Sequence, residues 1–211
     1  MKRPERVELA GRYVKIVRLD AAAHAHALFE GARGDFEEEL WRYMSNGPYA
    51  SEGEMREWLA QGEKSQDPLF FTILDAVSGR PEGYCSLLRI DPPNRVIEVG
   101  HILYLPRFQR TAGGTEAMYL LARYVFEELG YRRYEWKCNA LNEPSRRAAL
   151  RYGFTFEGIF RQHMIVKGKN RDTAWYSMLD GEWPERKRLF ECWLAESNFD
   201  EQGRQKAALG A

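Results

Sequence analysis

Cysteine is scarce: Cys85, Cys138 and Cys192 are the only three in 211 residues. Their odd number and irregular spacing exclude a disulfide framework and point to free thiols in a reducing compartment. The four histidines form no metal motif, so no metal is expected. Net charge is absent, with 31 basic and 31 acidic residues, and no whole-molecule field draws the chain to nucleic acid or to an anionic membrane. No apolar run is long enough to span a bilayer, and the N-terminal MKRPERVELAGR lacks an apolar signal core. A cytoplasmic location is expected, with neither nucleic acid nor membrane as partner. Two well-marked phosphate loops are also missing. RTAGGTEA does not have the spacing of G-x-G-x-x-G and follows several strands, and no Lys follows its glycines as a nucleotide-hydrolysing loop requires.

What is present is an ordinary globular balance, 44% hydrophobic and 29% charged, at a length that buries a core. Strands are predicted at 12–19 (RYVKIVRL), 69–76 (LFFTILDA), 83–90 (GYCSLLRI) and 96–105, the last three meandering antiparallel through short turns. Asp20 caps a helix through AAAHAHALFEGAR, DFEEELWRYM is a short helical candidate, and Ser51 with Glu54 forms a capping box for SEGEMREWLAQGEK. A strand at 131–138 places Tyr134, Trp136 and Cys138 on one face and Arg133, Glu135 and Lys137 on the other. The asparagine-capped NALNEPSRRAALRYGF is a helix stopped by Gly153, and FTFEGIFRQHMIV with DTAWYSML forms a late hairpin. One domain is expected over 1–182. A C-terminal helix over 183–200 packs on it through Leu189, Phe190, Trp193 and Leu194, and a frayed tail follows over 201–211.

The chain is organised around 96–130: a strand, the loop RFQRTAGG, then the helix TEAMYLLARYVFEELG with Met118, Leu121, Val125 and Leu129 on one stripe. The first turn of a helix leaves N–H groups unpartnered and carries about half a positive charge. Gly113 and Gly114 then allow close approach by an anion. A strand on either side of the helix argues for a parallel pair with a right-handed crossover.

Gln109-Arg110-Thr111-Ala112-Gly113-Gly114, with Ala112 at the first glycine, fits the Q/R-x-x-G-x-G/A loop of the GNAT N-acetyltransferases. Thr115-Glu116-Ala117, Glu98-Val99-Gly100 and Asn142-x-x-Ser145 with Gly153-Phe154 are similar to further motifs of its RimJ/RimL-type branch, which acts on ribosomal-protein N-termini. Together these span about 12–179.

The resemblance implies an α/β (α+β) acyl-CoA N-acyltransferase fold with a mixed, mostly antiparallel sheet flanked by helices. It implies an enzyme that moves the acetyl group of acetyl-CoA directly to a primary amine, as a monomer or homodimer. Ile102, Leu103, Tyr104 and Leu105 would pair with the pantetheine arm. Gln109, Arg110, Thr111, Ala112, Gly113, Gly114 and Thr115 would hold the pyrophosphate. Asn142 would contact the pantetheine, and Arg146 or Arg147 a phosphate at the adenosine end. The position where many relatives carry a tyrosine acid holds Ala149, leaving Ser145 as acid or thiolate hydrogen-bond donor, with helix capping as its other reading. Glu98 and His101 compete as base, alternation placing them on opposite strand faces, and a water relay is the other option. Trp41, Tyr43 and Trp175 are acceptor-pocket aromatics. A catalytically silent acyl-CoA-binding sensor or interaction module is the alternative. The acceptor is open among peptide or protein N-termini and small amines.

Overall fold

The computed structural model describes residues 2–210. Among them eight strands form one sheet: β1 (Leu9–Ala10), β2 (Val14–Arg18), β3 (Leu69–Asp75), β4 (Pro81–Asp91), β5 (Val96–Tyr104), β6 (Arg133–Asn139), β7 (Thr155–Val166) and β8 (Lys169–Leu179). Their spatial order is β1-β2-β3-β4-β5-β6-β8-β7, and every neighbouring pair is antiparallel except β5 and β6, which run parallel. The mixed, mostly antiparallel sheet is thus the one expected.

The helices are α1 (Ala21–Gly31), α2 (Glu37–Trp41), α3 (Glu52–Lys64), α4 (Ala112–Arg123), α5 (Glu143–Arg151) and α6 (Trp183–Leu194). Local chemistry sets their starts. The Asp20 carboxylate accepts from the Ala23 N–H, the Ser51 hydroxyl from Glu54, and the Asn142 side chain from Ser145. Gly153 closes the turn after α5 at φ +89°, where a side chain would be strained.

Strand alternation splits the core in two. Phe70, Tyr84 and Leu103 pack under α1 and α3, while Phe71, Cys85, Ile97 and Val99 face α4. Helix α4 is buried on every side from Gly113 to Ala122, because α6 covers the face turned away from the sheet. Tyr119 stacks on Trp183, and the Trp183 indole N–H and Lys187 both donate to the Glu127 carboxylate, at 2.9 and 2.8 Å. Of the four apolar residues expected to dock α6, Phe190 and Trp193 are buried, and Trp183 joins them. The following stretch is largely exposed and turns back on α6, with the Trp193 indole donating to Gln205 and a bridge between Phe199 and Gln205. The α4 helix continues into a π-helical turn, Tyr124–Glu128, that the apolar stripe does not predict.

Two findings correct the sequence reading of the central stretch. First, α4 starts at Ala112, so Gly113, Gly114 and Thr115 lie in its opening turns and not in a loop. Thr111 caps it, its hydroxyl accepting from the Gly114 N–H and donating to the Phe108 carbonyl. A Cβ on Gly113 would lie 2.6 Å from the Phe108 ring, and one on Gly114 3.0 Å from Tyr104. Packing against Phe108 therefore requires a glycine at 113, and the Tyr104 ring sits tight against 114. Positive φ falls on Arg110, at 62°, and not on Ala112, so the alanine carries no backbone strain.

Second, Glu98 and His101 do not face opposite ways. Ser86 pairs with Gly100 but Tyr84 with Leu103, so β5 carries one residue more than β4 between these pairs. The bulge centres on His101, at φ +48°, and resets the alternation.

Candidate functional site

The bulge also separates two strands. β5 and β6 pair only through Val96–Val99 against Arg133–Trp136, and beyond that they diverge. The opening between them is a cavity of about 190 Å³, lined by both strands and by Asn142, Ser145, Tyr43, His163 and Arg171. Divergence of a parallel pair frees main-chain groups on its inner edges, which is where an extended chain could add.

Around this opening the expected donor site is assembled in part. The N–H groups of Arg110, Thr111, Ala112 and Gly113 have no protein acceptor among the described residues, and they stand at the positive end of α4. That donor set fits a pyrophosphate. Of the strand residues expected along the pantetheine, Ile102 borders the cavity and Leu103 is buried under the helices of the other face. The Tyr104 carbonyl accepts from the Gln109 side chain at 3.0 Å, and Leu105 donates its N–H to Glu82. Gln109 therefore braces the loop, and Arg110 is exposed. Thr115 is buried and accepts from Arg151 at 3.0 Å. Arg146 is committed to the Tyr176 hydroxyl at 3.1 Å, whereas Arg147 extends into solvent.

Ser145 lies at the edge of the cavity. Its hydroxyl oxygen accepts from the Trp136 indole N–H at 3.0 Å, so its own hydrogen is left to donate, with the Cys138 sulfur the neighbouring acceptor. Burial pushes the thiol of neighbouring Cys138 up, with Ser145 pulling the other way. Ala149 is the fully buried residue of α5 itself, and Tyr152 is packed against Trp136 and Phe190.

Both base candidates border this one cavity. Glu98 is buried, and burial raises its carboxyl against the pull of Lys137 and Arg89. Its Oε2 takes Lys137 at 2.7 Å and Arg89 at 3.0 Å, leaving Oε1 without a protein donor among the described residues. The Nδ1 of His101 lies 2.9 Å from the Ser86 hydroxyl, and the ring leans on Phe70. Burial, then Arg171 and Arg89, holds its pKa down. Folding therefore excludes the charged ring, and the unfolded chain binds more protons at and below the ordinary histidine value of about 6.5. Stability is fully present above that value and is lost as pH falls through it. Urea midpoints at about pH 7.5 and about pH 5.5 check this, with a smaller acid loss expected for His101→Gln than for the wild type.

The acceptor-pocket aromatics divide. Tyr43 borders the cavity, and its hydroxyl donates to the Leu141 carbonyl at 3.0 Å, clasping the segment after α2 to the β6–α5 turn. Trp41 does not reach the cavity: it is 2% exposed, packed on Tyr49 within the core under α1 and α3. Trp175 does not line the cavity but stands directly behind its wall, on the same face of β8 as Arg171 and Thr173, with the Lys137 ammonium 4.0 Å from its ring centre and the Phe160 ring 4.4 Å away. Sequence reasoning did not find the chain of charges beside the cavity, in which Lys137 joins Glu98 to Glu135. The alternation of β6 carried the signal, since it placed Lys137 and Glu135 on one face. Sequence reasoning also gives Arg171 no part in the site, since the residue reads as one of a basic cluster with Lys167 and Lys169 in the hairpin.

Comparison with known proteins agrees with this geometry. Residues 15–155 match the acetyltransferase (GNAT) domain model. A GCN5-related N-acetyltransferase from Brucella melitensis is 50% identical, with 99% of this chain and 94% of that chain covered and a TM-score of 0.96. YdaF of Bacillus subtilis (strain 168), whose name assigns it provisionally as a ribosomal N-acetyltransferase, is 35% identical over 105 residues. That match takes in 50% of this chain and spans only 57% of the relative. An acetyltransferase from Salmonella typhimurium, described as modifying the N-terminal serine of a ribosomal protein, shares the fold at a TM-score of 0.68 and 20% identity, with 80% and 96% of the two chains covered. No helix among the described residues is long and apolar enough to cross a membrane, and no group of three or more His, Cys, Asp or Glu side chains there is placed to hold a metal ion. From its sheet to its match over 15–155, the chain belongs to the GNAT acetyltransferase family.

Proposed function

We propose that the chain transfers the acetyl group of acetyl-CoA directly to a primary amine. The observation that carries this is the divergence of β5 from β6 beside the unpartnered N–H groups of α4. An extended thioester arm fits the first, and a pyrophosphate the second. In the reaction a neutral amine attacks the thioester carbonyl, a C–N bond forms and the C–S bond breaks. The amine proton leaves through water to Glu98 Oε1 or to the His101 ring, both of which border the same cavity. Ser145 donates a hydrogen bond to the departing CoA thiolate, which takes its proton from solvent. Asn142 holds the start of α5, and so the placement of Ser145. The name of the YdaF relative supports a protein N-terminus as the first acceptor to try, in line with the RimJ/RimL-type resemblance. A cytosolic site of action fits the same acceptor.

The test is a thermal melt with and without acetyl-CoA. A ligand that binds only the folded chain at about a hundred times its Kd adds about 2.7 kcal/mol, which is a rise of several degrees. An unmoved melting curve at saturating acetyl-CoA sinks the proposal. Repeating the titration with Ser145→Ala should give the same rise but slower release of CoA in the presence of amines. Equal turnover would remove Ser145 from the chemistry.

A further inference from the structure

We infer that the acceptor amine carries a carboxylate near its amino group, and that Arg171 holds it. The inference rests on the acetyl-transfer reading above and narrows its substrate class.

Arg171 stands on β8, paired in register with Met164 of β7, and lines the cavity half-buried. Among the described residues no carboxylate pairs with its guanidinium, and its Nε is buried without an acceptor. The acids that could serve it are engaged elsewhere. Asp172, next in sequence, accepts from the Gln162 N–H at 2.7 Å and from the Asn170 amide at 2.9 Å. The bulge of β7 between Phe160 and Met164 turns it to that task. Glu98 borders the same cavity, but its Oε2 is taken by Lys137 and Arg89 and it makes no ion pair with Arg171 among the described residues. Burial weighs first against the charged form of Arg171, relieved in part by Cys138 and Glu98 and opposed by Arg89.

A desolvated guanidinium without a partner is costly, and a carboxylate that completes its fork turns that cost into affinity and orientation. Location decides whose carboxylate it is. Arg171 shares the cavity with Glu98 and His101, whereas the free N–H groups before and within the first turn of α4 are not among its lining. The cation therefore serves the amine side of the reaction and not the phosphates of the acyl donor. Two sources supply this chemistry: the α-carboxylate of a free amino acid, or an acidic side chain within the first positions of a peptide.

Paired acceptors separate them. Rates of CoA release are compared for free amino acids against their α-amides, and for Ser-initiated peptides with Asp or Glu at the second or third position against the Asn or Gln versions. A carboxylate preference of about tenfold or more in kcat/KM is expected in one arm, carried mainly by KM, and the responding arm identifies the source. In Arg171→Gln the preference should collapse towards unity, and Arg171→Lys should retain part of it. Both members of a pair are read on the same variant, so any loss of folded protein cancels in the ratio. Equal rates for every pair in the wild type overturn the inference while leaving acetyl transfer standing. A preference that survives in Arg171→Gln overturns the part given to Arg171. Absence of turnover with every pair, while acetyl-CoA still raises the melting temperature, also overturns it. Failure of acetyl-CoA to bind at all would bring down the underlying reading instead.

Discussion

Replacing Lys137 by Met is expected to destabilise the fold by about 3–5 kcal/mol, the range for breaking a buried ion pair from one side. The Lys137 ammonium is 4% exposed and lies 2.7 Å from Glu98 and 2.6 Å from Glu135, whose side chains are 7% and 9% exposed. Removing it leaves two buried carboxylates with their common cation gone, and Arg89 and Arg133 reach only one each. Met fills most of the volume, so the loss reads charge and not a cavity. The pH dependence separates this from simple misfolding. Burial already raises the Glu98 carboxyl, and without Lys137 it rises further. A group with a raised folded-state pKa binds its proton more readily in the folded chain, so the defect is full at neutral pH and shrinks as pH falls through that raised value. Urea melts at neutral and mildly acidic pH measure it. A penalty that does not change with pH would show that the charge of Glu98 does not carry the loss.

Glu116→Ala is expected to cost about 2–4 kcal/mol, since a buried donor left unpaired costs about 1–3 kcal/mol and the turn regains part of this from water. The Glu116 carboxylate, 5% exposed, accepts from the N–H groups of Arg12, Tyr13 and Val14 at 2.8, 2.6 and 2.9 Å. It thus ties the second turn of α4 to the start of β2, about a hundred residues away in the chain. Gly11 gives an independent check. A Cβ there would lie 2.4 Å from the same carboxylate, so Gly11→Ala is expected to be harmful in the wild type and much less so in Glu116→Ala. Additive losses in a double-mutant cycle would show that the carboxylate does not hold the turn.

These two residues also mark what the sequence made legible. Glu116 reads as one letter of a family motif, and nothing local in it shows that it reaches a turn a hundred residues away. Lys137 was placed on the correct face of β6 by strict alternation. Alternation does not say whether that face meets water, and here Trp175 and the neighbouring acids cover it. The helix starts at Asp20, Ser51 and Asn142 were readable because capping is short-range chemistry. Glycines suggest a loop and put the start of α4 three residues late, while Thr111 in fact supplies the cap. The common facing of Glu98 and His101 was hidden by the bulge at His101, a one-residue excess of β5 over β4 that no pattern within β5 announces. Trp41 gives no local sign of its place, because aromatic residues suit a core and a pocket equally well.

The short parallel seam between β5 and β6 has a mechanical consequence. Five strands lie on one side of it and three on the other, all antiparallel within their own group, and four residue pairs stitch the two groups together. The sheet is therefore two plates with a narrow weld, and partial opening costs least along that line. A thioester arm lying in the gap would bridge both plates as a rivet. Occupancy there would stiffen the molecule across its whole width, well beyond the residues it touches.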